Sequence, residues 1–190
     1  MAEVFEVLAK DHAEVTQMLA ELEAGPTASA GATSNDLSMR KKMVEQLVIE
    51  ESKHEAVEEM YFWPAVREKL PDGDKLADTA IGQEKEGKEV LDKLGKLDVS
   101  HAEFEKLVTN FIEAGRTHIA YEETQVWPSL RTALSAAEAS EIGTKIEQGK
   151  KTAPTRPHPR TPSSPGVLKS AGPAAAAVDR AHDKATGRGR

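Results

Sequence analysis

Apolar residues recur every three or four positions through most of the chain, which is the spacing of one face of an α-helix. The first such stripe runs from Val4 to Leu22. Similar stripes predict three further helices, at about residues 37–70, 75–97 and 101–134. No segment shows a convincing alternation of apolar and polar residues, so the pattern predicts an all-α protein. Four amphipathic helices with short connections favour an up-down-up-down four-helix bundle.

The polar segments between the stripes contain residues that begin helices. The segment GPTASAGATSND ends the first helix, and Asn35 or Asp36 is suited to cap the second. Ser100 is suited to cap the fourth, which would then begin at about His101. Pro64 falls inside the second stripe and is expected to bend that helix.

Charge divides the chain into two parts. Residues 1–149 carry 16 lysines and arginines against 30 aspartates and glutamates, whereas residues 150–190 carry 9 against 2. The second part also holds six of the ten prolines and no aromatic residue, a composition that buries too little apolar surface to become ordered. We therefore predict a four-helix bundle domain over residues 1–149, with a short extra helix in AAEASEIGTKIEQGKK. A basic, disordered tail over residues 150–190 would contain at most a short helix around AAAAVDRAH.

The absence of cysteine and the character of the N-terminus limit the chemistry and the location. Without thiolates, any metal must be held by nitrogen and oxygen ligands. The segment MAEVFEVLAKDH is acidic and amphipathic, and no stretch approaches the roughly 20 apolar residues of a membrane span. These features predict a soluble, cytoplasmic protein with no membrane partner, acting as a monomer or a weak homo-oligomer. The basic tail lacks interleaved aromatic residues, which argues against a nucleic-acid partner.

One polar motif occurs twice, as HEAVEEMYFWP at residues 54–64 and as HIAYEETQVWP at residues 118–128. Each copy has a histidine, a glutamate four residues later and a Trp-Pro pair. A histidine and a glutamate four residues apart project from the same face of a helix, and the apolar stripes direct that face inward. Burying two imidazoles and two carboxylates costs several kcal/mol unless they are paired or bind a cation. The repeat therefore predicts a metal site or an unusually complete hydrogen-bond network.

Together with His12 on the first helix, these motifs resemble the hemerythrin-like cation-binding (HHE) family over residues 1 to about 134. The acidic body and basic tail add a similarity to the actinobacterial hemerythrin-like proteins. The resemblance implies a four-helix bundle with a non-haem di-iron centre, in which two iron ions (Fe2+/Fe3+) share a bridging oxo or hydroxo group. It implies that Glu58 and Glu122 bridge the two ions and that His12, His54 and His118 are terminal ligands.

The third helix departs from the family pattern, which places a histidine there. The segment QEKEGKEVL has Lys85 near that position, and a protonated lysine is a poor ligand. Superposing the apolar stripes of the third and first helices places Glu84 opposite His12, so Glu84 is the predicted ligand and Glu86 the second choice. The alternatives for this position are water, Glu55, or a phenol from Tyr61 or Tyr121.

Two classes of function are compatible with such a site. One is a redox protein that reacts with hydrogen peroxide, dioxygen or nitric oxide, and the other is an iron- or oxygen-binding module without turnover. A carboxylate-rich ligand set favours oxidised iron over reversible oxygen carriage. The resemblance to actinobacterial proteins associated with oxidative and nitrosative stress implies a catalase- or peroxidase-like activity.

Two tyrosines and two tryptophans lie within the two copies of the motif. Tyr61 comes three residues after Glu58, and Tyr121 comes three after His118, so either phenol is a candidate catalytic proton or electron donor. The alternative is that both are ordinary core tyrosines. Trp63 and Trp127 are expected to be packing anchors rather than redox relays.

Overall fold

The computed structural model describes residues 2–188, and all regular structure within that range is helical. The helices are α1 (Val4–Ala24), α2 (Ser34–Val57, Glu58–Phe62 as the π turn, and Trp63–Lys69), α3 (Gly73–Lys96), α4 (Phe104–Tyr121, Glu122–Val126 as the π turn, and Trp127–Ala133), α5 (Ala136–Lys150) and α6 (Pro165–Thr186). Each of α1 to α4 packs against its two neighbours in a ring. This arrangement confirms the prediction of an all-α four-helix bundle with an extra helix.

The apolar core forms two clusters that lie on either side of a buried polar layer. In α1, Phe5 and Leu8 belong to one cluster, Val15 and Leu19 belong to the other, and buried His12 lies between them. Because each cluster draws side chains from several helices, the two clusters hold the bundle together on both sides of the layer. The polar layer is therefore built into a rigid frame.

Two helix starts differ from the sequence-based prediction. Thr33, rather than the residues after it, caps α2, since its hydroxyl accepts from the Asp36 amide and the Asp36 carboxylate accepts from the Thr33 amide. This reciprocal pair is a capping box, which satisfies two amides at once. Ser100 does not cap α4 because its amide and hydroxyl both donate to the Asp98 carboxylate. That local turn delays the start of α4.

The Trp-Pro pairs accompany the π-helical turns. In α2, the Trp63 amide donates to the carbonyl of Glu58, five residues back instead of four. Pro64 has no N–H, and its ring would press on the carbonyl of the residue four positions earlier, so a wider turn accommodates it. The second copy of the motif repeats this geometry in the π turn Glu122–Val126. Each π turn thus begins at the glutamate of the motif, which fixes the local direction of that side chain.

α5 packs along α1 and α2, as the predicted extra helix would. The approach is close at Gly143, where an added Cβ would lie 2.4 Å from the Ala2 carbonyl oxygen. Only glycine allows the helix to come this near to the start of α1. Among residues 2–188, no helix is both long enough and apolar enough to span a bilayer.

The C-terminal segment is more ordered than its composition suggests. Where the composition predicts at most a short helix, α6 extends over Pro165–Thr186, and its Leu168 packs into the apolar core of the bundle. Polar contacts supply much of the order that apolar residues cannot. Two buried aspartates of α6 accept hydrogen bonds from the segment before it, and we call this group the tail clasp: Thr155, Arg156, His158, Asp179 and Asp183.

Candidate metal centre

Six buried side chains from α1 to α4 meet in the polar layer. They form two overlapping groups, and the ligand-capable atoms of each group lie within 4.8 Å of one another. Both groups contain the same two carboxylates, one from each copy of the repeated motif. The first group is His12, His54, Glu58 and Glu122, and the second group is Glu58, Glu84, His118 and Glu122. All six residues predicted as ligands from the sequence are brought together here.

The imidazoles approach the shared carboxylates through Nε2. His12 Nε2 lies 3.3 Å from Glu122 Oε2, and His54 Nε2 lies 3.2 Å from Glu58 Oε2. His118 Nε2 lies 3.0 Å from Glu122 Oε1. These pairs are close enough for ionic attraction. Within the described chain, however, all four oxygens of Glu58 and Glu122 and the Nε2 atoms of His12 and His118 are enclosed without an aligned hydrogen-bond partner. Buried polar atoms at this density need protons or cations to offset their desolvation.

The opposite nitrogen of each imidazole is held by an oxygen acceptor. His12 Nδ1 lies 2.9 Å from a Glu123 carboxylate oxygen, and His54 Nδ1 lies 3.4 Å from an Asp11 carboxylate oxygen. His118 Nδ1 lies 3.0 Å from the Gln83 amide oxygen. An acceptor at Nδ1 favours the tautomer that carries its proton there, and the Nε2 lone pair then faces the cluster. Carboxylate and amide oxygens that orient metal-binding histidines in this way are usual around metal sites. The six residues therefore fit a pair of metal ions held by nitrogen and oxygen donors, as iron, manganese or zinc would be.

Sequence reasoning did not identify these three orienting residues, although each adjoins a residue of the cluster. Asp11 precedes His12, Gln83 precedes Glu84, and Glu123 follows Glu122. Each one reaches a histidine on a different helix from its own. A polar residue beside a predicted ligand is thus the available signal, but the helix that it serves depends on how the helices are packed.

The electrostatics of the layer combine strong burial with excess negative charge. Burial, followed by neighbouring carboxylates, raises the pKa of Glu58 well above its ordinary value, and burial likewise raises the pKa of Glu84. Burial would also raise the pKa of Glu122, but the imidazoles of His118 and His12 outweigh it and lower that pKa strongly. Burial would lower the pKa of both imidazoles, and the Glu122 carboxylate outweighs it and raises them. Positive charge is therefore stabilised in this layer, whether protons or metal ions supply it.

The two tryptophans of the motifs contact the residues that distinguish the two groups. Trp63 Nε1 donates to Glu84 Oε1 at 2.5 Å. Trp127 instead stacks on His12, with ring centroids 5.0 Å apart and planes 18° apart, and its buried Nε1 has no hydrogen-bond partner in the described chain. The Glu84 carboxylate can accept a hydrogen bond from the indole of Trp63. The lone pair of the His12 imidazole faces the cluster, so Trp127 contacts the flat face of that ring instead. The tryptophans therefore position site residues as well as anchoring the core.

The glutamate that follows each shared carboxylate also has a different partner in the two groups, because one group has a histidine where the other has Glu84. Glu59 and Glu123 occupy equivalent positions in the two motifs. Glu123 accepts from the ring of His12, but the residue equivalent to His12 is Glu84, which has no proton to give a second carboxylate when ionised. Lys88 fills this role, since its ammonium group donates to Glu59 and lies 4.0 Å from Glu84. Replacement of a histidine by a glutamate at this place is thus accompanied by a nearby cation.

Comparison with known proteins agrees with the site. Residues 3–130, most of the chain, match the Hemerythrin HHE cation binding domain. This chain belongs to that family. An uncharacterized hemerythrin-like protein of Schizosaccharomyces pombe is 28% identical over 152 residues, which cover 80% of this chain and 75% of the relative. A crystal structure of a hemerythrin HHE cation binding domain-containing protein from Mycobacterium kansasii superposes with a TM-score of 0.63 at 20% identity, covering 90% of this chain and 99% of that one.

The predicted tyrosines lie away from the six clustered residues of the HHE domain. The Tyr121 hydroxyl donates to the Leu76 carbonyl at 3.2 Å. The Tyr61 ring packs against Gly149 and lies under the Lys169 ammonium, 5.0 Å from the ring centroid. Among the hydrogen bonds, ion pairs and ring contacts of residues 2–188, none joins either phenol to the six. The catalytic role of these tyrosines stays a prediction.

The candidates for the third-helix ligand differ in burial and in whether they belong to the cluster. Glu84 is buried and belongs to the second group, whereas Glu86 and Lys85 are exposed. Glu55 is also buried, but its carboxylate lies 3.9 Å from the Lys88 ammonium and is not part of either group. The phase of the apolar stripe was sufficient to place Glu84 in the interior.

We expect Trp63→Phe to weaken metal binding in the second group by about tenfold, the lower end of the range for lost outer-shell hydrogen bonds. The substitution removes the donor to Glu84 and leaves a buried oxygen unpaired. Trp127→Phe is the matched control, because it keeps a stacked ring beside His12 and removes an N–H that has no partner. Competition with a chromophoric chelator would measure both. Equal affinities in the two variants would contradict a positioning role for Trp63.

Proposed function

We propose that this HHE domain binds two iron ions (Fe2+/Fe3+) with a bridging oxo or hydroxo group and reacts with small oxidants. Hydrogen peroxide is the first candidate, with nitric oxide and dioxygen as others, in defence against oxidative or nitrosative stress. The observation that carries the proposal is the sharing of Glu58 and Glu122 between two four-residue groups. Shared carboxylates suit two adjacent metal ions better than one.

The difference between the two groups supports turnover over reversible oxygen carriage. The first group contributes two imidazoles beside the shared carboxylates, whereas the second contributes His118 and the carboxylate of Glu84. Hard oxygen donors stabilise the oxidised state of iron. A bound iron pair would supply the two redox equivalents that peroxide chemistry requires.

The surrounding residues orient this site and keep it dry. Asp11, Gln83 and Glu123 fix the three imidazole rings, and Trp63 fixes Glu84. The apolar clusters on both sides of the layer exclude bulk water, which strengthens every electrostatic interaction within it. Lys88 holds positive charge beside Glu84 and Glu59 and is the nearest ammonium group that the described contacts place at the second group.

One observation favours the alternative, an iron- or oxygen-binding or sensing module without turnover. Neither predicted phenol forms a hydrogen bond with the six residues within the described chain. A site without such a donor would have to take its electrons from the substrate itself or from an external reductant. Peroxide disproportionation meets this requirement because one peroxide is oxidised to dioxygen while another is reduced to water.

The experiment is oxygen evolution from hydrogen peroxide, measured per bound iron for the wild type, His118→Ala and Tyr61→Phe. We expect activity in the wild type, a loss of about tenfold or more in His118→Ala because a ligand and its orientation are removed, and no loss in Tyr61→Phe because that ring lies against Gly149. Undiminished activity in His118→Ala would indicate adventitious iron and contradict the proposal. A stable oxygenated spectrum that is reversed by removing oxygen would favour the alternative.

A further inference from the structure

A small cavity of about 80 Å³ lies between the bundle and the C-terminal segment. α2 and α3 form its floor, and residues before and within α6 form its roof. Since one water needs only about 10–15 Å³ of such space, the cavity admits a molecule of a few heavy atoms and no larger one. Its lining includes Ala56, Glu59 and Lys88 on the floor and Pro154, Leu168 and Gly172 on the roof.

A second, more open cavity adjoins the first at Glu59. Trp63 and Glu59 line it from α2, and the segment Pro162–Pro165 covers it from the C-terminal side. Glu59 therefore separates two cavities that the same stretch of chain roofs. The tail clasp ties the start of that stretch to α6, and Ala153 and Leu168 anchor it to the apolar core.

Each cavity is lined by one residue that contacts Glu84 of the metal centre. Trp63, which lines the second cavity, donates to Glu84 Oε1 at 2.5 Å. Lys88, which lines the first, lies 4.0 Å from Glu84 Oε2, an enclosed oxygen without a hydrogen-bond partner in the described chain. The Lys88 ammonium also pairs with Glu59, so one flexible side chain stands between the first cavity and the second group.

We propose that the C-terminal segment, residues 153–175, is a lid over the route by which small molecules reach the Glu84 side of the metal centre. The 80 Å³ cavity is the antechamber of that route, and it selects molecules of two to four atoms. Displacement of the Lys88 side chain opens the last step toward Glu84. The inference rests on the proposed function only because the route leads to the proposed iron site. The cavity and its roof do not depend on bound iron.

Gly172 offers a specific way to close the antechamber. It is buried within α6, yet a Cβ added to it would meet no atom within 4 Å, since it faces the cavity. Gly172→Leu should therefore fill the cavity without a clash at its first carbon, and it also favours the helix. Ala174→Leu is the matched control, because Ala174 is exposed on the same helix and does not line the cavity.

The first test does not depend on iron. Crystals of the full-length protein pressurised with xenon should show a xenon atom in the cavity of the wild type and of Ala174→Leu, because small apolar cavities bind xenon. Gly172→Leu should show none. Xenon in the cavity of Gly172→Leu, or its absence from the wild type, would overturn the antechamber.

The second test follows azide binding to the iron-loaded protein by stopped-flow absorbance. We expect Gly172→Leu to slow azide association by about tenfold, within the range over which association rates vary among variants, while Ala174→Leu matches the wild type. The double variant Asp179→Ala, Asp183→Ala, which removes the acceptors of the tail clasp, should bind azide faster than the wild type. Equal rates in all four proteins at equal iron content would overturn the lid. Failure of the wild type to hold iron would contradict the proposed function instead and leave the xenon result to decide the cavity.

Discussion

Glu58→Ala and Glu122→Ala should each empty both metal positions, lowering iron from about two ions per chain to near zero, since a shared ligand leaves two incomplete coordination shells when it is lost. Glu84→Ala should lose about one ion, because Glu84 belongs to the second group alone. Elemental analysis after anaerobic iron loading would measure the content. This ordering separates a shared carboxylate from a terminal one.

Two further variants control this result. Glu58→Gln keeps the size of the side chain and removes its charge, so it should also lose both ions while the bundle stays folded. Glu86→Ala removes an exposed carboxylate from the same helix as Glu84 and should keep the wild-type content. Two ions per chain in Glu58→Ala, or equal losses in Glu58→Ala and Glu84→Ala, would contradict the sharing of Glu58.

Removal of the metal should lower the melting temperature by about 10 °C or more, since ions bound only by the native state stabilise it by mass action. The effect should grow with pH. In the metal-free protein, burial raises the pKa of Glu58 and Glu84 above the ordinary value of 4.5, and Glu122 raises the pKa of His12 and His118 above 6.5 despite burial.

The sign of the pH dependence follows from proton binding. Above pH 4.5 the folded state holds protons on Glu58 and Glu84 that the unfolded chain releases, so folding is favoured at low pH and loses free energy as pH rises. The raised pKa of His12 and His118 acts in the same direction from about pH 6.5 upward. Glu122 has a lowered pKa and therefore matters only below its ordinary value of 4.5. The melting temperature of the metal-free protein should thus fall between pH 5 and pH 8.

Iron should reverse this trend, because metal ions replace the protons and bind more tightly as pH rises. Thermal melts of the loaded and metal-free proteins, followed by circular dichroism from pH 5 to pH 8, would show the two curves diverging. Parallel curves would contradict the coupling between protonation and metal binding. Identical melting temperatures at every pH would show that iron does not bind at a folded site.

Much of the fold and most of the candidate cluster follow from periodicity. The apolar stripe of α3 carries a definite helical phase, and continuing it from Leu91 and Leu94 was enough to place Glu84 opposite His12. The repeated motif placed its histidines and glutamates inward for the same reason. The spacing of buried positions stays regular over several turns of a helix, so these positions can be predicted from the sequence.

The direction of the two tyrosines does not follow from helical periodicity. Tyr61 lies within the π turn Glu58–Phe62, where an extra residue changes the direction of the side chains that follow Glu58. Counting three residues from Glu58 at regular helical spacing therefore does not establish the direction of the phenol. Tyr121 precedes the second π turn, and its hydroxyl is taken by the Leu76 carbonyl, a contact that depends on the register between α3 and α4.

The C-terminal segment could not be predicted for a different reason. Its order comes from Asp179 and Asp183, which accept hydrogen bonds from residues more than twenty positions earlier in the chain. Composition reports how much apolar surface a segment can bury, but it does not report such long-range polar pairs. The same limit applies to Asp11, Gln83 and Glu123, each of which serves a histidine on another helix.

The most direct test of the central claim is anomalous diffraction at the iron absorption edge from crystals of the iron-loaded, full-length protein. Two peaks should appear in the polar layer, one beside Nε2 of His12 and His54 and the other beside His118 and Glu84, with Glu58 and Glu122 between them. A single peak, or peaks outside this layer, would contradict a metal pair that shares the two glutamates of the repeated motif.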